Sequence, residues 1–231
     1  MCFSPGASFT GGIIISSIGV ATVIKVHKPS QIVFACIPFI FGIQQIAEGF
    51  LWLSLQYPKY AHVEKISTYF FLSMAEVVWP MLIPLSVFLM EKNEKSRRIL
   101  WGLMIMGVSL SSYYVSCLLF FTVSPQIVGF HIQYDNDFPK TFSLLAFTVY
   151  LIVTVIPPFI SSIKKAYLLG VLLFLSCLIT TIFFTQYLIS VWCFFSALIS
   201  VVIYWILRDS KIKFNLDKLL LLKEQFKIYK P

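Results

Sequence analysis

Apolar residues run along this chain in stretches of about 20, with charges, prolines and polar clusters confined to the gaps between them. A helix rises about 1.5 Å per residue, so about 20 apolar residues are what it needs to cross the roughly 30 Å hydrocarbon core of a bilayer. Seven such runs stand at 7–24, 31–54, 66–90, 99–122, 142–162, 166–185 and 188–207. The strands of a spanning barrel would alternate apolar and polar positions over about 10 residues, which continuous runs such as Val171–Leu175 do not do. The pattern therefore predicts an all-α integral membrane protein, with a bundle of seven transmembrane helices over 1–207 and no strands.

Composition agrees with the pattern and removes other classes. Charged residues make up 12% of the 231 positions, half of the roughly 25% of a soluble domain, which excludes a soluble globular protein. The net charge of +8 does not point to nucleic acid, because the charges sit in short runs between apolar stretches. Those runs orient the chain. One side of the scheme carries Lys25, Lys28, Lys92, Lys95, Arg97, Arg98, Lys164, Lys165 and seven more from Arg208 to Lys230, fifteen in all, against Lys59, Lys65 and Lys140 on the other. Positive loops stay in the cytoplasm, so this division predicts an N-terminus outside and a C-terminus inside, in a cell membrane crossed several times. The first run reads as an uncleaved span, since Lys25 and Lys28 follow it where a signal peptide would have basic residues before it. The tail, 208–231, alternates Lys with Ile, Phe and Leu. It is expected to lie along the cytoplasmic bilayer surface, its lysines toward anionic headgroups. No other soluble segment exceeds about 20 residues, so any chemistry belongs to the bundle.

An ionisable group inside a span costs about 2.5–3.5 kcal/mol on insertion scales and needs a reason. Glu48 and Glu76 are the two such acids; the other eight are read as loop or tail residues. Both lie at similar depth below the outer ends of neighbouring antiparallel spans. Facing one another, two carboxyls in apolar surroundings cannot both hold a charge, so one of them would carry an exchangeable proton. The structural alternative is a neutral Glu that caps carbonyls of another helix. Glu48 belongs to the stretch GIQQIAEGFLW, where Gln44 and Glu48 share a helix face, Trp52 follows one turn outward, and Gly42 and Gly49 permit close helix approach. Gln44, Gln45 and Glu48 must find partners inside the bundle, because lipid offers none. Pro80 cannot donate to the carbonyl of Glu76, and Pro84 repeats the defect, so the third span is expected to kink with free carbonyls near Glu76 and Trp79. Pro157-Pro158 free others, which Thr154 or Ser161 would partly satisfy. Trp52, Trp192, Trp101 and Trp205 lie near span ends and read as interfacial anchors, while Trp79 is deep.

The longest outer loop, 123–141, carries His131, Tyr134, Asp135 and Asp137, and such a group is usually a solvated loop. Cys2, Ser4, Glu48, His131, Ser190 and Cys193 nevertheless all map to the outer third of the scheme. The five cysteines, Cys2, Cys36, Cys117, Cys177 and Cys193, form no CxxC pair, and those within spans read as packing residues. Cys2, His131, Cys193 and Glu48, if brought together, have the donors for a zinc or copper ion. Cys2 and Cys193 have a structural disulfide as their alternative.

The motifs MCFSPGASF at 1–9, FGIQQIAEGFLW at 41–52 and SVWCFF at 190–195, with His131, Ile132 and Tyr134, resemble those of a family of small, functionally uncharacterised multi-pass membrane proteins, mostly bacterial. Pro5-Gly6 departs from that family's usual Ala-Thr. The resemblance covers most of 1–200 and marks Cys2, Gln44, Gln45, Glu48, His131 and Cys193 as motif positions; it implies no activity.

Other seven-helix schemes do not fit. No lysine lies inside a span to hold a retinal, the three histidines are too few and too dispersed for an intramembrane zinc hydrolase, and spans 1–3 and 5–7 show no repeated motif. The sequence is read as a bundle with a polar pocket toward the outer side, lined by Gln44, Gln45, Glu48, Glu76, His131 and Cys193. Three functions remain open: binding or transport of a small solute, cation or proton; a metal- or thiol-dependent membrane enzyme using Cys2, His131 and Cys193; and a sensor or assembly factor without turnover.

Overall fold

The structure, a computed structural model, describes residues 4–163, 165–183 and 195–209. Cys2, Lys164, Ser190, Trp192, Cys193 and the basic tail from residue 210 lie outside them. The described chain is mostly helical: α1 (Pro5–Val23), α2 (Ile32–Gln56), α3 (Glu64–Leu72), α4 (Trp79–Met90), α5 (Glu94–Phe120), α6 (Ser143–Ile160), α7 (Ala166–Phe183) and α8 (Ser196–Asp209). A π-helical turn, Ser73–Val78, joins α3 to α4 without a break. Five helical stretches are long and apolar enough to cross a membrane, Pro5–Val23, Pro29–Gln56, Pro58–Met90, Glu94–Phe120 and Lys140–Ile160, and two shorter apolar helices follow.

The helix starts are explained locally. Ser4 caps α1, its hydroxyl accepting from the Ala7 N–H at 3.2 Å, and Pro5 sits at the first helical position, where its missing N–H costs nothing. The Pro5-Gly6 departure thus suits a helix start. Asn93 caps α5 by accepting from the Lys95 and Ser96 N–H groups at 2.9 and 3.3 Å, which starts that helix five residues before the expected apolar boundary.

Packing depends on small residues. A methyl group on Gly42 would stand 2.8 Å from the Ser16 nitrogen and 2.9 Å from the Gly12 carbonyl oxygen, so α1 and α2 meet backbone to backbone. The principal apolar core joins Ile15 of α1, Phe34, Ile37 and Phe41 of α2, Trp79 and Ile83 of α4, Val155 of α6, Leu169 and Leu173 of α7, and Ile199 and Ile203 of α8. On its flank, α5 lies so close to α4 that a side chain on Gly107 would overlap the Pro80 carbonyl.

Two ends of the bundle are closed differently. At one, residues 123–136 form an antiparallel hairpin, β1 (Val123–Val128) and β2 (His131–Asn136), in register from Val123 opposite Asn136 to Val128 opposite His131. Gly129, with φ of 63°, supplies the positive backbone angle of its two-residue turn. This corrects the expectation of an irregular solvated loop in a chain without strands. Ile132 is fully buried against Leu51 and Trp52, and the Tyr134 ring stacks on Phe71 with centroids 5.4 Å apart. Trp52, expected as an interfacial anchor, is covered by this hairpin and buried.

At the opposite end, Glu91 is buried at the turn between α4 and α5. Its Oε1 accepts from the Lys92 and Asn93 N–H groups, both at 2.8 Å, and from the Ser162 hydroxyl; its Oε2 accepts from the Ser162 N–H at 2.7 Å and the Ser161 hydroxyl at 3.0 Å. The sequence reading counted Glu91 among the loop acids. Burial alone pushes its carboxyl up, but the donors from Ser162, Asn93 and Ser161 outweigh burial and hold it below the usual carboxylate range. Ser161 is thereby committed to Glu91, and Thr154 bonds the Tyr150 carbonyl at 2.7 Å, so neither takes the role expected of it beside Pro157-Pro158.

Candidate functional site

The site is built on α2, whose residues 44, 48 and 52 recur at helical spacing on one face. Gln44, Gln45 and Glu48 are all buried, Glu48 completely. Gln45 Nε2 and Glu48 Oε2 lie 3.5 Å apart along the same helix. Across the interface, the Trp79 indole N–H donates to Gln44 Oε1 at 2.8 Å, and the Trp79 ring stacks on Phe41 at 4.0 Å between centroids. Deep Trp79 is therefore both a core residue and a polar partner: its ring joins the apolar cluster while its N–H satisfies an amide that lipid could not. Ser8 of α1 is also fully buried, near this level, because Phe9 meets Gly49 one residue beyond Glu48.

The Gln44–Trp79 bond sets the register between α2 and α4. Glu48 lies four residues onward on one helix and Glu76 three residues back on its antiparallel neighbour, so both are displaced by about 4.5–6 Å toward the hairpin end, at about 1.5 Å per residue. Equal depth does not give Glu76 the same surroundings as Glu48. Glu76 stands on the π turn, which packs on α5 where the Ser111 hydroxyl reaches it. It is buried, and its Oε2 has no hydrogen-bond partner among the described residues.

Glu76 sits in the middle of the π turn, and Pro80 explains where the loosened backbone bonds go. The Trp79 N–H donates to the Met74 carbonyl, five residues back. The next bond in that register would need an N–H from Pro80, so the Ala75 carbonyl is released. The Tyr150 hydroxyl of α6 donates to it at 2.7 Å, and the Ser111 hydroxyl of α5 donates to the Val77 carbonyl at 2.6 Å. The predicted kink is thus a π turn, and hydroxyls from two neighbouring helices bond its carbonyls. Tyr150 and Ser111 escaped the sequence reading because their bonds to the π turn come from tertiary packing; for Ser111, the run SLSSYYVSC was the available signal.

His131 is half-buried on β2, and burial holds its imidazole below the usual histidine range. Strand alternation sends its side chain to the face opposite Ile132, away from the surface that packs on Leu51 and Trp52. Of the metal set Cys2, His131 and Cys193, His131 alone is described. Among the described residues no group of three His, Cys, Asp or Glu side chains is placed to hold a metal ion.

Comparison with known proteins adds one result. The family described as "family of unknown function (DUF6629)" matches residues 1–216, nearly the whole chain. No curated protein and no solved structure matches it.

Proposed function

We infer a function from geometry, on the premise that the chain belongs to the DUF6629 family of unknown function: it is a membrane protein that takes a small solute, cation or proton into the buried cluster of α2 and α4, with Glu48 as the binding or exchanging group. The reading includes seven spans in a cell membrane, the N-terminus outside and the C-terminus cytoplasmic. The fifteen-to-three division of Lys and Arg supports this orientation. The hairpin end, with His131, then faces outward and covers the approach to Glu48, and the Glu91 end faces the cytoplasm. The basic tail belongs to the same reading, against anionic headgroups.

The observation that carries the proposal is the complete burial of Glu48 on the face where Gln44 is joined to Trp79 across the interface. A fully buried carboxyl in an apolar bundle is costly unless something compensates its charge, and a cation or proton does so directly. Gln44 and Gln45 add both donors and acceptors, which suits a polar guest in either protonation state. The test is flux into liposomes carrying the purified protein. Glu48→Gln should abolish uptake of the transported cation or proton while leaving the fold intact by circular dichroism; unchanged flux overturns the reading.

A further inference from the structure

The β1–β2 hairpin covers Trp52, which stands one turn beyond Glu48 on the same face of α2. Its own fold is self-contained. The two strands pair along their whole length, and the Gln133 side-chain amide donates to Asp135 Oδ1 at 2.7 Å. At the base the Asp137 N–H donates to the Thr122 carbonyl at 3.3 Å and the Thr122 hydroxyl donates to Asp137 Oδ2. The chain enters from α5 at Phe121 and leaves at Pro139, both in extended backbone, where a change of angle breaks no helix. The seat on the helices is made by side chains from one face of the sheet. Ile132 is fully buried against Leu51 and Trp52, and two residues on, the Tyr134 ring stacks on Phe71 at 5.4 Å between centroids.

Closure also has a cost. The Trp52 indole N–H is buried in this seat and has no hydrogen-bond partner among the described residues. A stranded donor in apolar surroundings is unfavourable, and water would satisfy it once the hairpin lifted. These are the properties of a closing element: an apolar seat, an internal ladder that survives opening, and a closed state that is not overstabilised.

We propose that the hairpin is a lid on the buried cluster: residues 123–136 lift from α2 and α3 as one piece, drawing Ile132 from Leu51 and Trp52 and Tyr134 from Phe71, and so open the way to Glu48. What passes beneath the lid rests on the reading of Glu48 as the binding group; the lifting itself does not. Ile132 is the plug and Tyr134 the second hold.

Leu51→Cys places a thiol under the lid, and Leu55→Cys, one turn on, is a second probe if the first disturbs the seat. The full chain in lipid nanodiscs, which leave both membrane faces accessible, is treated with a membrane-impermeant maleimide at neutral pH, and labelling is read residue by residue by peptide mass spectrometry. The native Cys177, buried on α7 outside the hairpin's seat, reports opening of the whole bundle. The thiol at 51 should label while Cys177 stays protected. Ile132→Ala should speed labelling at 51 at least about 10-fold and leave Cys177 unchanged. Tyr134→Ala, which gives up the stack on Phe71, should act in the same direction and stands in if Ile132→Ala does not fold. Equal rates at 51 and Cys177 overturn the proposal, because the whole bundle then opens; so does a rate at 51 that neither variant changes, or a thiol at 51 that never labels. Loss of flux in Glu48→Gln tests the other reading, so a lid that lifts over an inactive cluster and a working cluster under a fixed hairpin are distinguishable results.

Discussion

Glu91 and Glu76 are the same residue in two buried places, and their surroundings differ in almost every respect that matters. Glu91, at the turn after α4, receives five donors from two loops, three of them backbone N–H groups. Glu76, on the π turn, keeps an oxygen with no hydrogen-bond partner among the described residues. The first carboxylate ties the α4–α5 turn to the segment after α6, and its charge is part of the architecture. The second contributes no comparable tie. Burial of an acid is thus not itself a sign of its role; the number of donors that reach it separates a clasp from an unsatisfied group.

Stability measurements can break this comparison. The largest effect belongs to Glu91→Ala, which strands donors in both loops and should cost about 3–5 kcal/mol in a denaturation experiment; a loss below 1 kcal/mol would mean the clasp is ornamental. Its pH dependence has a definite sign. Because the folded carboxyl is held below its ordinary range, its stabilisation is complete above a pH of about 5 and disappears as the pH falls through the depressed value. Acid titration of Tm should therefore be steeper in the wild type than in Glu91→Gln.

Next in size, Gly107→Ala drives a methyl group into the Pro80 carbonyl and should cost about 1–3 kcal/mol, with a shift of α5 away from the π turn. Tyr150→Phe removes the hydroxyl that bonds the Ala75 carbonyl and should cost about 1–2 kcal/mol, read from the same melts. The smallest change is expected at Glu76 itself. Glu76→Met should leave stability within about 1 kcal/mol or raise it, because an unsatisfied polar group is replaced by an apolar one of similar volume. A loss as large as that of Glu91→Ala would erase the distinction between the two acids.

The long apolar runs made the membrane class and the positions of the five long helices legible in sequence, because about 20 uninterrupted apolar residues leave few alternatives. Local capping moved the ends: Asn93 extends α5 into charged residues that an apolar count excludes. The hairpin was missed since its two strands are six residues each and alternate weakly, with Pro125 and Ile127 opposite Tyr134 and Ile132. Its burial depends on a surface made by Leu51, Trp52 and Phe71, far away in sequence. The role of Glu91 was equally illegible, because its donors Ser161 and Ser162 lie some 70 residues onward. At the site, Gln44, Gln45, Glu48 and Glu76 stood out as polar residues inside apolar runs. Their partners did not: nothing local to the π turn announces Tyr150, and nothing local to Gln44 announces Trp79.

The contact between α1 and α2 has a mechanical consequence. Where Gly12 and Gly42 meet, main chain rests on main chain, so no change of side-chain rotamer can make room for sliding. The pair behaves as one stiff plank. If the bundle parts to admit a guest, it opens along the seam beside the plank, between α2 and α4, where the Trp79–Gln44 bond and the stacked rings of Phe41 and Trp79 help to fasten the two helices.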